Sequence, residues 1–235
     1  MNGTDVEGTC EVMTATKSQI TYSNELARKG IHLASLLIPI IYLQVEHWTG
    51  IGILVGMTVV SVLIDSLMHY HEPTRKVMLN AVGSLMRTHE LRQDRFHLTG
   101  ASWVLIAATL TFLVFPAVIG VTAFTVLIVS DTFAALVGRR YGVRPFIDKS
   151  VVGTITFIIT AMVVVCVYGA IFALPWTFYA VGLVASIISG VAEAASTRLR
   201  LDDNISTPFS FAITMWLLGA ILVASGLPDF IHALP

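Results

Sequence analysis

Apolar runs alternate with short polar breaks along most of the chain, at about 31–45, 50–68, 101–119, 121–137, 154–174, 176–196 and 208–227. A helix needs roughly 20 residues to cross the hydrocarbon of a bilayer, so the pattern predicts about seven membrane-spanning helices in an all-α polytopic bundle. The first run is short and contains Pro39, so its helix is expected to begin earlier, near Ser23, with a polar first turn. Pro116–Gly120 predicts a tight hairpin between the third and fourth runs, and Pro175 separates the fifth from the sixth. The connection at 72–100 is too long for a plain loop. Pro73 suits a first helical turn, and Val77, Met78, Ala81, Val82, Leu85 and Met86 then share one face. That spacing predicts an amphipathic helix on the cytosolic membrane surface or packed against the other cytosolic loops.

Composition agrees with the pattern. The chain has 235 residues, 55% hydrophobic and 12% charged, against about 25% charged in an ordinary soluble domain. Residues 1–22 are polar, carry Asp5, Glu7 and Glu11, and lack an apolar core. They are expected to form a mobile cytosolic tail rather than a cleaved signal, ahead of one integral membrane domain at 23–235. Cys10 lies in that tail and Cys166 inside an apolar run, which suits neither a disulfide nor a zinc site. The net charge of −1 selects no partner. No nucleic-acid partner is expected, and nothing in the pattern selects an oligomeric state.

The placement of charge is more informative than its sum. In a seven-span arrangement every Lys and Arg falls on one side: Lys17, Arg28 and Lys29, then Arg75 to Arg95, then Arg139, Arg140, Arg144 and Lys149, then Arg198 and Arg200. The positive-inside rule then puts the N-terminus in the cytosol and the C-terminus outside. Bacterial plasma membrane and endoplasmic reticulum are both open.

Three acids, Asp65, Asp131 and Glu193, lie within apolar runs, where an ionisable group is expensive and usually functional. At 1.5 Å per residue, Asp131 lies about 10 Å and Glu193 about 6 Å from the cytosolic end of its helix. Asp65 has a similar depth, and Arg28, Lys29, His32, Glu90, Asp202, Asp203 and Asn204 begin other spans on the same side. The polar groups therefore gather in one shallow slab, whereas a transporter would place them nearer the midplane. Such a slab suits an enzyme that joins a cytosolic reactant to a lipid.

The stretch 126–154 concentrates this chemistry. Asp131 is either a buried acid paired within the bundle, or a metal ligand or base for a hydroxyl. After it come Gly138, Arg139, Arg140, Gly142, Lys149, Ser150, Gly153 and Thr154. Without a GxxxxGK[ST] pattern this is no Walker loop. Its glycines could still admit an anion to backbone amides, its cations could bind phosphate, and Ser150 could cap the next helix. The bland alternative is an ordinary positive-inside loop at lipid headgroups. The run LDDNISTP at 201–208 offers Asp202, Asp203 and Asn204 either as a helix cap or, with Glu193 and Asp131, as hard oxygen ligands for Mg²⁺ or another divalent cation. Arg28 and Lys29 could equally be topology anchors. His32, Asp65 and Glu90 are candidates for a lipid-side or supporting role.

The chain resembles the CTP-dependent lipid kinases, the family that includes dolichol kinase, phytol kinase and the CTP-using diacylglycerol kinase. The matching pieces are RKGIH at 28–32, VGSLMRTHEL at 82–91, TGASWVLIA at 99–107, SDTFAALVGRRYG at 130–142, KSVVGT at 149–154, Glu193, and DDNISTP at 202–208, in the family's order. The resemblance implies that Arg28, Lys29, Asp131 and Gly138 match functional positions and that CTP is the phosphate donor. Phosphatidate cytidylyltransferases share a similar Asp…Gly…Lys arrangement, with a Pro before the Lys element and a Glu before the Gly. This chain has Asp148 and Val152 there, which favours the kinase. The expected reaction is transfer of the γ-phosphate of CTP to the hydroxyl of a lipid alcohol, diacylglycerol or a polyprenol, at the cytosolic face. Asp131, Lys149, Arg28 and Lys29 would be catalytic, and the 138–154 loop would bind nucleotide. The alternatives are cytidylyl transfer to phosphatidate and proton-coupled transport.

Overall fold

The computed structural model describes residues 22–83, 86, 96–199 and 201–233. The tail at 1–21 and Glu90 lie outside the described residues. Among the described residues the regular structure is all helical except for one short ribbon. In order it forms α1 (Tyr22–Ala34), α2 (Leu37–Tyr42), α3 (His47–Tyr70), α4 (Glu72–Val82), α5 (Gly100–Val114), α6 (Ala117–Tyr141), β1 (Pro145–Phe146), β2 (Lys149–Ser150), α7 (Val151–Ile171), α8 (Trp176–Leu199) and α9 (Asp203–Ala224).

Among the described residues five helices, α3 and α6 to α9, are long and apolar enough to cross a membrane. The first apolar run is not one helix, because a turn at Ser35–Leu36 divides α1 from α2. The third run ends early: α5 has 15 residues, about 22 Å of helix against a hydrocarbon core of about 30 Å. Pro116 stops α5 and starts α6 as expected. The amphipathic helix forms as α4, with Pro73 in its first turn. Its face is only partly used: Met78 and Val82 turn inward with Met86 along a cavity, while Val77 is exposed. Leu85 lies outside the described residues.

Helix α6 is the centre of the bundle. One side packs with α7 and α9, which in turn hold α8, around Phe157, Phe178, Phe211 and Met215, a cluster closed at its far end by Phe230 and Ile231. Another side packs with α5 and α2, with α3 packed on α5, around Tyr42, Leu54, Phe112 and Phe124. With core on both sides α6 needs no polar stripe, so its buried Asp131 stands out. Small residues bring helices close, as lipid-embedded packing requires. Gly182 faces Val165 across α7–α8, and Gly190 faces Phe157 and Ile158. Hydroxyl pairs join α3 to α5: Thr58 with Thr109 at 2.8 Å and Ser61 with Ser102 at 2.7 Å.

The connection between α6 and α7, which reads as a loop in the sequence, is a two-stranded antiparallel ribbon. Its turn holds Ile147 at φ 54°, unusual for a β-branched residue. Asp148 anchors that turn: its N–H donates to the Ala194 carbonyl at 3.1 Å, and its carboxylate accepts from the Arg198 backbone N–H at 3.0 Å and from Arg198 Nε at 3.2 Å. The ribbon is thereby fixed to the last turns of α8.

Candidate functional site

The bundle brings most of the predicted polar residues to one end. Asp131 lies in the last half of α6, Glu193 in the last turns of α8, Lys149 on β2 just before α7, and Asp203 at the start of α9. Two charge clusters result. In the first, Lys29 of α1 forms an ion pair with Asp131 Oδ2, and its Nζ also lies 3.4 Å from the Asp131 carbonyl. His32, one turn on, places Nε2 3.5 Å from the same Oδ2. Lys29 is 3% exposed, a burial that a lysine tolerates only when paired. In the second, Lys149 Nζ sits 2.8 Å from Glu193 Oε1 and 3.7 Å from Asp203 Oδ2. Asp131 acts on Lys149 and on Glu193 as well, so the two clusters form one field. Burial lowers the affinity of Lys149 for its proton, but Glu193, Asp203 and Asp131 outweigh it and hold the ammonium above the usual lysine range.

The remaining predicted residues are placed differently. Gly138, Gly142 and Gly153 form no open cradle for an anion. A Cβ on Gly138 would meet Gly153 Cα at 3.1 Å, one on Gly153 would meet the Ala134 carbonyl at 3.2 Å, and one on Gly142 would collide with the Gly138 carbonyl at 2.2 Å. Gly138 and Gly153 let α6 and α7 touch backbone to backbone. The amides are also engaged, since Gly142 N–H donates to the Gly138 carbonyl and Gly153 N–H to Ser150 Oγ. Ser150 is the cap of α7, as expected. Thr154 is buried, with its hydroxyl unbonded among the described residues. Arg139 and Arg140 lie on the last turn of α6, Arg140 exposed and over the Tyr141 ring.

The expected metal set does not assemble as five ligands. Asp202 caps α9 by accepting from Asn204 N–H, and Asn204 Nδ2 donates to the same oxygen at 2.6 Å. Asp131 is taken by Lys29. Among the described residues no group of three or more His, Cys, Asp or Glu side chains is arranged to hold a metal ion. Glu193 and Asp203 alone of the set converge on one cation position, which Lys149 fills. Asp65 serves the fold: it accepts from Thr99 N–H at 2.9 Å and from Thr99 Oγ1 at 3.2 Å, tying the start of α5 to α3.

A cavity of about 790 Å³ runs up to the first cluster. Its wall is mostly apolar, built by α1, α2, α3 and α5, and its polar end is lined by Arg28, His32, Asp131, Asp203 and Asn204. Leu37, Ile41, Ile53, Met57 and Ile64 line it and are also exposed at the molecular surface. The cavity is thus a groove open along the side of the bundle, at the level of apolar helix surface.

Asp148 is the residue that sequence reasoning missed. In the sequence it marks only a departure from the cytidylyltransferase signature, yet it docks the ribbon that carries Lys149 onto the helix that carries Glu193. A usable signal was present in the acid directly before Lys149 and the basic Arg198 shortly past Glu193.

Among known proteins, the chain is 30% identical over 200 residues to the uncharacterized protein RP860 of Rickettsia prowazekii (strain Madrid E), an alignment that covers 84% of this chain and 96% of that protein. No family model matches the chain. No solved structure matches it.

Proposed function

This chain belongs to the family of the uncharacterized Rickettsia prowazekii protein RP860, and we propose that it is an integral membrane kinase that transfers the γ-phosphate of CTP to the hydroxyl of a lipid alcohol. The observation that carries this reading is the apolar, side-open groove whose inner end is a cluster of buried charges. An apolar molecule reaching Asp131 and His32 along that groove would present a polar head to charges that a lipid-binding site alone does not need. Kinase chemistry, and CTP as donor, rest on the resemblance to the CTP-dependent lipid kinases.

In this reading α1–α2 and α5 complete seven passes, the N-terminus is cytosolic and the C-terminus lies outside. The charged end of the bundle then faces the cytosol, where Lys149, with Arg139 and Arg140 at the rim, meets the triphosphate. Glu193 and Asp203, which converge on one cation position, are the residues that would hold a divalent ion, since Mg²⁺ commonly takes only one or two carboxylates from the protein. That ion, when bound, supplies neutralisation of triphosphate charge. Lys149 would then be free to bind phosphate, from a ribbon that Asp148 anchors to α8. Lys29 fixes Asp131 beside the acceptor end of the groove. Phosphoryl transfer of this kind needs mainly positioning and charge neutralisation.

The test supplies purified protein with CTP labelled at the α or the γ phosphate, together with a panel of lipid alcohols and phosphatidate. Label from γ appearing in a phospholipid supports the kinase, and it should vanish in Asp131→Ala, which still inserts into membranes. Label from α in the lipid product would replace the kinase by a cytidylyltransferase. No lipid labelling, with proton-coupled uptake in vesicles, would replace it by a transporter.

A further inference from the structure

The polar end of the groove holds few groups that are not already engaged. Asp131 holds Lys29, Asp203 faces Lys149, Asn204 donates to Asp202, and Asp65 is taken by Thr99. Arg28 is engaged as well. His32 differs from all of them. Its side chain is 11% exposed and lines the groove, and its Nε2 makes no hydrogen bond among the described residues. The nearest carboxylate oxygen, Asp131 Oδ2, is 3.5 Å away, within ion-pair range but not hydrogen-bonded. A buried nitrogen left unbonded forfeits its solvation with nothing in return, so such an atom in a native site calls for a missing partner. The groove that reaches it admits an apolar molecule, and the group such a molecule would offer is a hydroxyl.

We propose that His32 is the catalytic base on the acceptor side: its Nε2 accepts a hydrogen bond from the lipid hydroxyl and then takes its proton. The assignment rests on the kinase reading of the same site. A neutral imidazole protonated at Nδ1 leaves the Nε2 lone pair free for the hydroxyl. As the proton moves to Nε2, the lipid oxygen forms its bond to the γ-phosphorus. The bond from that phosphorus to the β,γ-bridging oxygen breaks, and CDP leaves with the electron pair. The imidazolium later returns its proton to solvent. The charged groups that face the ring are Asp131 of α6, Lys29 and Arg28 of α1, and Asp203 of α9. Asp131 is the closest of the acids to the ring and partly offsets the positive charge the ring gains, which Lys29 and Arg28 oppose. The lipid alcohol is thereby read at its hydroxyl, and the groove sets only the apolar character of the rest.

The experiment uses full-length protein in nanodiscs, as wild type, His32→Ala and His32→Gln, with two readouts. The first is single-turnover transfer from γ-labelled CTP to dioctanoylglycerol and to farnesol. Both variants should lose roughly 10²-fold or more in rate, as expected for removal of a general base, with the KM for CTP changed less than about threefold. The second is equilibrium binding of each alcohol against its methyl ether. Wild type should prefer the free hydroxyl at least fivefold, His32→Ala should lose the preference, and His32→Gln, which can still accept a hydrogen bond, should keep part of it. Transfer by either variant within threefold of wild type would overturn the base role. A hydroxyl preference unchanged in His32→Ala would overturn the contact. Absence of transfer by wild type, with a His32-dependent preference intact, would overturn the kinase reading and the base role with it but leave the hydroxyl contact standing.

Discussion

The two charge clusters use the same pairing of a lysine with carboxylates and differ in nearly everything else. Lys29 and Asp131 are sealed between α1 and α6 at the head of an apolar groove, with neither side chain more than 9% exposed. Lys149 with Glu193 and Asp203 is half open, its lysine side chain 34% exposed on a ribbon that Asp148 secures to α8. A sealed pair cannot exchange partners without leaving a bare charge in low dielectric. A half-open lysine can swing from a carboxylate to a phosphate, provided another cation takes its place at the buried Glu193. The sealed cluster therefore suits a fixed boundary against lipid, and the open one suits a reactant that arrives from water and departs.

The sharpest way to break this contrast is at the sealed pair. Asp131→Asn leaves Lys29 buried and unpaired and should cost about 3–5 kcal/mol in an SDS unfolding titration, along with all transfer activity. Adding Lys29→Met should restore most of that stability but none of the activity. If the double variant stayed unstable, the pair would not be what governs the site. Lys149→Met should cost somewhat less, about 2–4 kcal/mol, because water reaches Asp203 but not the buried Glu193, and in the proposed kinase it should raise the KM for CTP at least tenfold.

The open cluster also has a pH signature. Lys149 is held above the ordinary lysine value, so its stabilising contribution is present below that value and is lost only as pH rises through the elevated one. CTP affinity should therefore show no loss from this group between about pH 6 and 9. A fall across that window that Lys149→Arg abolished would contradict the placement.

Smaller effects come from the joints. Gly153→Ala puts a methyl 3.2 Å from the Ala134 carbonyl and should cost about 1–3 kcal/mol by forcing α6 and α7 apart. Asp148→Ala removes an exposed pair worth no more than about 1 kcal/mol. It should leave the midpoint of unfolding nearly unchanged while speeding amide exchange at 145–150 and raising the KM for CTP severalfold.

Much of the site was legible because membranes punish stray charge. Asp131 and Glu193 stand out against apolar runs, and helix direction alone places them at one depth. Lys29 is marked in the sequence only by its match to a family position, since its pairing with Asp131 joins residues 102 apart. The glycines mislead because a glycine that admits an anion and one that admits a neighbouring helix have the same spacing. Gly153 opposite Ala134 is the second kind. Asp202 reads alike as ligand or cap until the Asn204 N–H is seen to point at it. The run at 31–45 looks like one span, as hydropathy does not register the turn that splits α1 from α2.

The distance along the chain between Lys29 and Asp131 also sets a timetable. The two are 102 residues apart, and synthesis at about 5–20 residues per second separates their appearance by roughly 5–20 seconds. Throughout that interval α1 exists without the acid that makes its burial tolerable. The nascent chain must keep Lys29 at the wet edge of the membrane, and α1 takes its final seat only after α6 has been inserted. Helix α1 is thus made well before α6 and takes its place only with it.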